Sequence, residues 1–198
     1  ETLQDCLTDD PEMAMKFLNK AEKNVERLSY LINDLDAISK LETGEMPINY
    51  ERFDFVPLAK EVMDGLEDSA TRHHIKLSFK EKYATPTLVN ADREKVRQIL
   101  INLIQNSIKY GKEGGTTEVS IEDLVSNKVI VRVTDNGEGI EKHHISRLFE
   151  RFYRVDKSGA RSEGGSGLGL AIVKHIIEAH NEKIYIESEF GVGSEFSF

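Results

Sequence analysis

KVRQILINLIQNSIKY, residues 95–110, is apolar around most of its circumference and polar along one narrow stripe. Val96, Leu100, Leu103, Ile104 and Ile108 recur at helical spacing. Asp92, just upstream, suits the N-cap, and the predicted helix runs to about Tyr110. At about 100° per residue, Asn102, Asn106 and Lys109 fall within an arc of about 60°. A largely buried helix must give such a stripe of amides and an amine its partners. A ligand shared by the three is one solution; a polar face toward solvent is the other.

Downstream, residues 128–134 alternate as a strand and run into TDNGEGI, residues 134–140. Asp135 stands at the strand end, where a carboxylate can accept from an exocyclic amine, as on adenine. Gly137 and Gly139 permit close backbone approach to a ligand. A plain turn also fits, because Asp-Asn-Gly is common in turns. Next, LFERFYRVDKSGAR, residues 148–161, places Phe149, Phe152 and Tyr153 beside Arg154, Lys157 and Arg161. The aromatics can pack under a lid, and the arginine forks match phosphate oxygens. A small core cluster beside a solvated basic loop is the alternative.

In SEGGSGLGLAIVKHIIEAH, residues 162–180, Gly164, Gly165, Gly167 and Gly169 lead into an apolar helix over about 168–180. Free N–H groups at such a start attract anions. The spacing is neither that of a dinucleotide-binding turn nor that of a Walker P-loop. A phosphate-contacting lid hinged at its glycines remains, against a merely flexible loop.

The rest of the chain frames these stretches. Residues 11–43 read as one long helix of about nine turns, with Asp10 at the N-cap, Pro11 at the first turn and Gly44 past the end. Its apolar stripe (Phe17, Ala21, Leu28, Leu31, Leu35, Ile38) is narrow, as in a bundle. Residues 44–53 read as a linker or edge segment, and a helix follows over about 56–71. Strands are expected at 75–79, 88–90, 118–122 and 128–134, the last two around a turn at Ser126-Asn127. A helix at 142–149 and a hairpin of 184–188 with 194–198 complete the pattern. The class is α+β, a two-layer sandwich of one sheet with helices on one face, preceded by the long helix.

The 198 residues carry 26 Lys+Arg against 35 Asp+Glu, a net charge of −9. That balance argues against nucleic-acid binding but leaves a local nucleotide site open. No apolar run is long enough to span a membrane, so no membrane contact is expected of this segment. Cys6 is the only cysteine, which excludes an intrachain disulfide and suits a reducing compartment. None of the six histidines has metal-ligand spacing.

Taken in order, Asn102-x-x-x-Asn106-x-x-Lys109-Tyr110, Asp135-x-Gly137-x-Gly139, Phe149-x-x-Phe152 and Gly165-x-Gly167-x-Gly169 resemble the N, G1, F and G2 boxes of sensor histidine kinases. Gly191-x-Gly193 resembles the final glycine turn. The resemblance covers about 52–198 as a catalytic ATP-binding domain of the Bergerat fold. Residues 1–44 resemble part of the dimerisation hairpin, with 45–51 as linker. It implies ATP and Mg²⁺ as cofactors, with Asn106 holding the metal and Asn102 beside the ion or its waters. Lys109 would contact phosphate, Tyr110 would pack near the nucleotide, and Asp135 would read adenine. Gly137 and Gly139 would line the site. Arg154 and Arg161 would be lid-side phosphate contacts. Gly165, Gly167, Leu168 and Gly169 would supply backbone contacts to phosphate. The implied partners are a second copy through the helical hairpin and a response-regulator receiver domain. The parent is expected to be a membrane-associated sensor with this segment in the cytoplasm.

The sequence departs from the family in one respect that bears on activity. The phosphoacceptor histidine belongs to a motif like H-E-x-x-x-P, and no histidine here stands in one. That motif is expected before residue 1, so these residues are expected to bind Mg·ATP without autophosphorylating. His180-Asn181-Glu182 also stands where the family often has a pair of glycines. The runner-up is a hydrolase of the same fold, as in gyrase, MutL and the heat-shock chaperones. Those usually carry Glu where Asn102 stands, and Asn cannot act as a general base. An anti-sigma serine kinase and a non-enzymatic nucleotide-sensing module are further alternatives.

Overall fold

The computed structural model describes residues 12–22, 24–25, 28, 32, 47–124, 128–155 and 166–198. Residues 12–22 are helical, as expected of the long N-terminal helix. Its caps at Asp10, Pro11 and Gly44, and the turn at Ser126-Asn127, lie outside the described residues.

Strand β1 (Glu51–Asp54) pairs antiparallel with β3 (Leu88–Ala91), aligning Phe53 with Val89. The stretch read as linker or edge segment thus ends in a strand. One expectation is corrected: a two-stranded sheet accompanies the main one. Asp54 then caps helix α1 (Phe55–Arg72), its Oδ1 accepting from the Val56 N–H at 3.2 Å and the Thr87 N–H at 3.0 Å.

The main sheet runs β2 (Lys76–Phe79), β4 (Thr116–Leu124), β5 (Lys128–Asp135), β7 (Gly193–Ser197), β6 (Tyr185–Glu189). Only β2 and β4 are parallel. Helix α2 (Arg93–Lys109) and helix α4 (Gly169–Ala179) pack on each other, and α1 packs on α2. Alternation on the strands turns Val119, Ile121, Val131, Val133 and Phe196 into the core. There they join Leu100, Leu103, Ile104, Ile172, Val173 and Ile176 of α2 and α4.

The outer face of the sheet is polar. Arg132 reaches Glu122 at 2.7 Å and Glu195 at 3.4 Å. One face is thus covered by helices and the other bonded within itself, a two-layer sandwich. Inside, the Ser107 and Thr117 hydroxyls meet at 2.6 Å and pin α2 to β4. Helix α3 is shorter than expected, Lys142–Ile145, because turns occupy 146–152. No described helix is long and apolar enough to cross a membrane.

Candidate nucleotide site

Helix α2 is the spine of the site. The Asp92 side chain accepts from the Lys95 N–H at 3.0 Å and fixes where the helix starts. That phase buries Val96, Ile99, Leu100, Leu103, Ile104 and Ile108, and leaves Asn102, Asn106 and Lys109 half-buried along one side. The expected stripe is therefore neither core nor open solvent face.

At the C-terminal end of α2, the 135–139 turn is docked on backbone. The Glu138 N–H donates to the Tyr110 carbonyl at 3.2 Å. A Cβ on Gly137 would lie 2.5 Å from that same carbonyl oxygen, so only glycine fits there. Gly139 has φ +67°, and a Cβ on it would stand 2.0 Å from the Glu189 carbonyl oxygen. The 135–139 turn thereby rests on the β6–β7 turn, where the Gly191 N–H donates to the Glu138 carbonyl at 2.6 Å. Asp135 is half-buried, and its Oδ1 accepts from the Gly137 N–H at 2.9 Å. Burial pushes its carboxyl above the ordinary range, while the N–H groups of Gly137 and Ser194 oppose that rise.

About two turns earlier on α2, Asn102 faces the start of α4. Its Nδ2 donates to the Gln98 carbonyl at 2.9 Å, which aims Oδ1 away along the helix. A Cβ on Gly169 would come within 2.8 Å of that Oδ1. Leu168 is buried and anchors the turn, and Gly167 sits against Phe152, whose N–H donates to the Gly167 carbonyl at 2.9 Å. The structure thus brings Asn102, Gly167, Leu168 and Gly169 together at one end of the stripe. Tyr110, Asp135, Gly137 and Gly139 meet at the other. Asn106 and Lys109 lie between. Residues 102 and 110 are about 12 Å apart along the helix axis.

A family model described as "Histidine kinase-, DNA gyrase B-, and HSP90-like ATPase" matches residues 91–198. The chain belongs to this ATPase family. The match opens beside the α2 cap and takes in both ends of the stripe. The sensor protein kinase WalK of Staphylococcus saprophyticus is 35% identical over 196 residues, 98% of this chain and 32% of that protein. This chain therefore spans about a third of that curated relative's length. A structure of full-length ShkA in complex with AMPPNP aligns with TM-score 0.81 at 26% identity, over 94% of this chain and 38% of that one. Histidine kinase ThkA in complex with response regulator protein TrrA aligns with TM-score 0.69 at 27% identity, over 96% of this chain and 52% of that one.

In this member of the ATPase family the donor set suits a hard, hydrated cation. The oxygens on offer are the amide oxygens of Asn102 and Asn106, and no group of three or more His, Cys, Asp or Glu able to hold a metal occurs among the described residues. Mg²⁺ retains waters and takes few protein ligands beside substrate phosphates. Lys109 Nζ lies 5.2 Å from the Tyr110 ring centroid, so the two act as neighbours at the helix end. Arg154 is half-buried. Arg161, Gly164 and Gly165 lie outside the described residues. Phe149 packs against the core, whereas Phe152 is 66% exposed with φ +62°; the lid under which they were expected to pack lies mostly outside the described residues. The Phe152 backbone, not its ring, is what holds Gly167.

Three contributors escaped the sequence reading. Ser188 Oγ accepts from the Ile140 N–H at 2.8 Å and meets Ser194 Oγ at 2.9 Å, tying the hairpin to the Asp135 turn. Asn136 Oδ1 accepts from the Thr116 N–H at 2.8 Å and holds that turn from the other side. Two hydroxyls facing inward from adjacent strands, and an Asn just after one, are the signals that could have found them.

Proposed function

We propose that this chain is the nucleotide-binding and phosphoryl-donating part of a sensor histidine kinase. The observation that carries the reading is the half-buried stripe of Asn102, Asn106 and Lys109. It is bounded by a carboxylate turn at one end and a glycine turn at the other. Asp135 accepts from the adenine amine, and the rigid turn around it excludes a base that offers a carbonyl there. Tyr110 flanks the base, and Gly137 and Gly139 let the backbone come close to it. Asn106 offers its amide oxygen to Mg²⁺, with Asn102 beside the ion or its waters. Bound there, the ion offsets phosphate charge. Lys109, Arg154 and Arg161 add cationic contacts, and residues 165–169, Leu168 included, present N–H groups to phosphate at the start of α4.

The reaction is in-line attack of a histidine imidazole nitrogen on the γ-phosphorus. The bond to the β–γ bridging oxygen breaks and ADP leaves. Asn102 cannot remove a proton from water, which favours transfer over hydrolysis. The acceptor is a histidine in an H-E-x-x-x-P setting, which none of the histidines in these residues has. In this reading residues 1–44 are part of a dimerisation hairpin, 45–51 a linker and 52–198 the catalytic unit, with Glu51 already in β1. The phosphoryl group passes on to the aspartate of a response regulator, a partnership the ThkA–TrrA complex supports. The whole protein is a homodimer with its sensor associated with a membrane.

Titration calorimetry tests the site. The chain is expected to bind Mg·ATP, and Asn106→Ala and Asp135→Ala are each expected to weaken binding at least ~10-fold. Unchanged affinity in both would place the nucleotide elsewhere. With γ-labelled ATP, acid-labile label is expected on a separately supplied helix bearing the acceptor motif. Label on this chain alone overturns the assignment of the acceptor.

A further inference from the structure

At the end of α2 away from the nucleotide turn, His180 bridges three segments. Its Nδ1 lies 2.8 Å from the Ile176 carbonyl, and its Nε2 lies 3.0 Å from the backbone N of Asp92. A carbonyl only accepts and an amide N–H only donates. The ring therefore carries its proton on Nδ1 and a lone pair on Nε2. The Asp92 carboxylate in turn holds the incoming chain, its Oδ2 accepting from the Asn49 N–H at 3.0 Å. Tyr50 stands edge-on to the imidazole, with ring centroids 5.5 Å apart. One neutral ring thus joins the end of α4, the cap of α2 and the segment leading in from the N-terminal helix. Asn181 takes φ +61°, the left-handed conformation that closes α4 just after His180.

We propose that His180 is a positioning residue, a joint that holds residues 49–50 against the catalytic unit only while its imidazole is neutral. A proton on Nε2 turns the acceptor into a donor facing the Asp92 N–H, and the bond is lost. The charged neighbours define what competes. Asp92, the N-cap of α2, can offer the protonated form a carboxylate acceptor only by releasing the Asn49 or Lys95 N–H. Glu182, after α4, is held by Lys128 of β5 at 2.9 Å. Arg52 of β1 and Lys183 line the same groove and oppose further positive charge. That groove, about 730 Å³, opens beside the ring and gives water a path to it. The inference is independent of nucleotide binding and concerns how the catalytic unit is attached to the helix before it.

Amide hydrogen exchange on the 198-residue chain tests the joint, read as protection factors at Asn49 and Asp92. Wild type is expected to lose ~10-fold or more in protection between about pH 8 and pH 5. His180→Gln places an uncharging oxygen near Nε2, so its protection is expected to be the same at both pH values. His180→Ala is expected to lose protection at both, with circular dichroism as a check on folding. Should it not fold, wild type and His180→Gln carry the test. Undiminished protection in wild type with a protonated ring, or the same pH-dependent loss in His180→Gln, overturns the proposal. So does an Nε2–H tautomer in the imidazole nitrogen spectrum at high pH.

Discussion

The two ends of helix α2 are fastened by different means. At the nucleotide end, main chain touches main chain. Gly137 meets the Tyr110 carbonyl, Gly139 the Glu189 carbonyl, and a Cβ on Gly193 would lie 2.1 Å from the Asp135 carbonyl oxygen. At the linker end, side chains do the fastening, with Asp92 accepting from Lys95 and Asn49 while His180 accepts from Asp92. Backbone docking of the turns leaves Asn102, Asn106 and Lys109 half-buried along one side of α2. At the linker end the Asp92 carboxylate is taken up by the Asn49 and Lys95 N–H groups, and the His180 ring by the Asp92 N–H and the Ile176 carbonyl. The first arrangement is the one proposed to bind nucleotide, and the second is the proposed joint.

The comparison breaks most visibly at Gly139. An added methyl at 2.0 Å from a carbonyl oxygen forces main chain apart, and φ +67° adds strain for any residue with a Cβ. Gly139→Ala is expected to cost about 3 kcal/mol or more. Denaturant unfolding checks it. A loss below about 1 kcal/mol would mean that the β6–β7 turn moves aside, and that the nucleotide end is not rigid.

A smaller effect separates affinity from stability at Asp135. Burial is the larger influence on its carboxyl and raises its pKa over the two opposing N–H groups. A group whose folded pKa is raised binds its proton more tightly folded than unfolded. Its ionised form therefore lowers stability, and stability is regained as pH falls through the raised value. Asp135→Asn never ionises. It is expected to melt above wild type at neutral pH, with the gap closing in acid. Its ATP affinity is expected to fall ~10-fold, because an amide NH₂ then faces the adenine amine. Melting curves across pH and calorimetry check the two halves. A variant both less stable and unchanged in affinity would remove Asp135 from the site.

The half-buried stripe and the glycine turns around α2 were legible because their rules are local. A 100° repeat exposes the stripe of Asn102, Asn106 and Lys109, and glycines at 137, 139, 167 and 169 mark where backbone must come close. The fold class followed from the same alternation and helical periods. What stayed hidden depends on long-range pairing. Residues 51–54 contain a single apolar residue, Phe53, and their strand exists because residues 88–91 lie beside them. Ser188 and Ser194 act only once β6 and β7 are in register. His180 is 88 residues from the amide it accepts from, and nothing in its neighbours predicts that bond.

The linker end is expected to respond in small, graded steps. Asp92 is 6% exposed and caps α2 while holding Asn49, so Asp92→Ala leaves two N–H groups without their acceptor. A lost cap costs about 1 kcal/mol. Glu182, two residues after His180, pairs with Lys128 at 2.9 Å, but both side chains are more than half exposed. Exposed pairs contribute about 0–0.5 kcal/mol, and salt screens them. Glu182→Ala is therefore expected to leave the unfolding midpoint nearly unchanged, and unchanged at all in about 0.5 M salt. Equal losses in Asp92→Ala and Glu182→Ala would mean that charge, not the buried hydrogen-bond chain, secures this end. A clear loss in the first alone places the fastening in the Asn49–Asp92–His180 chain.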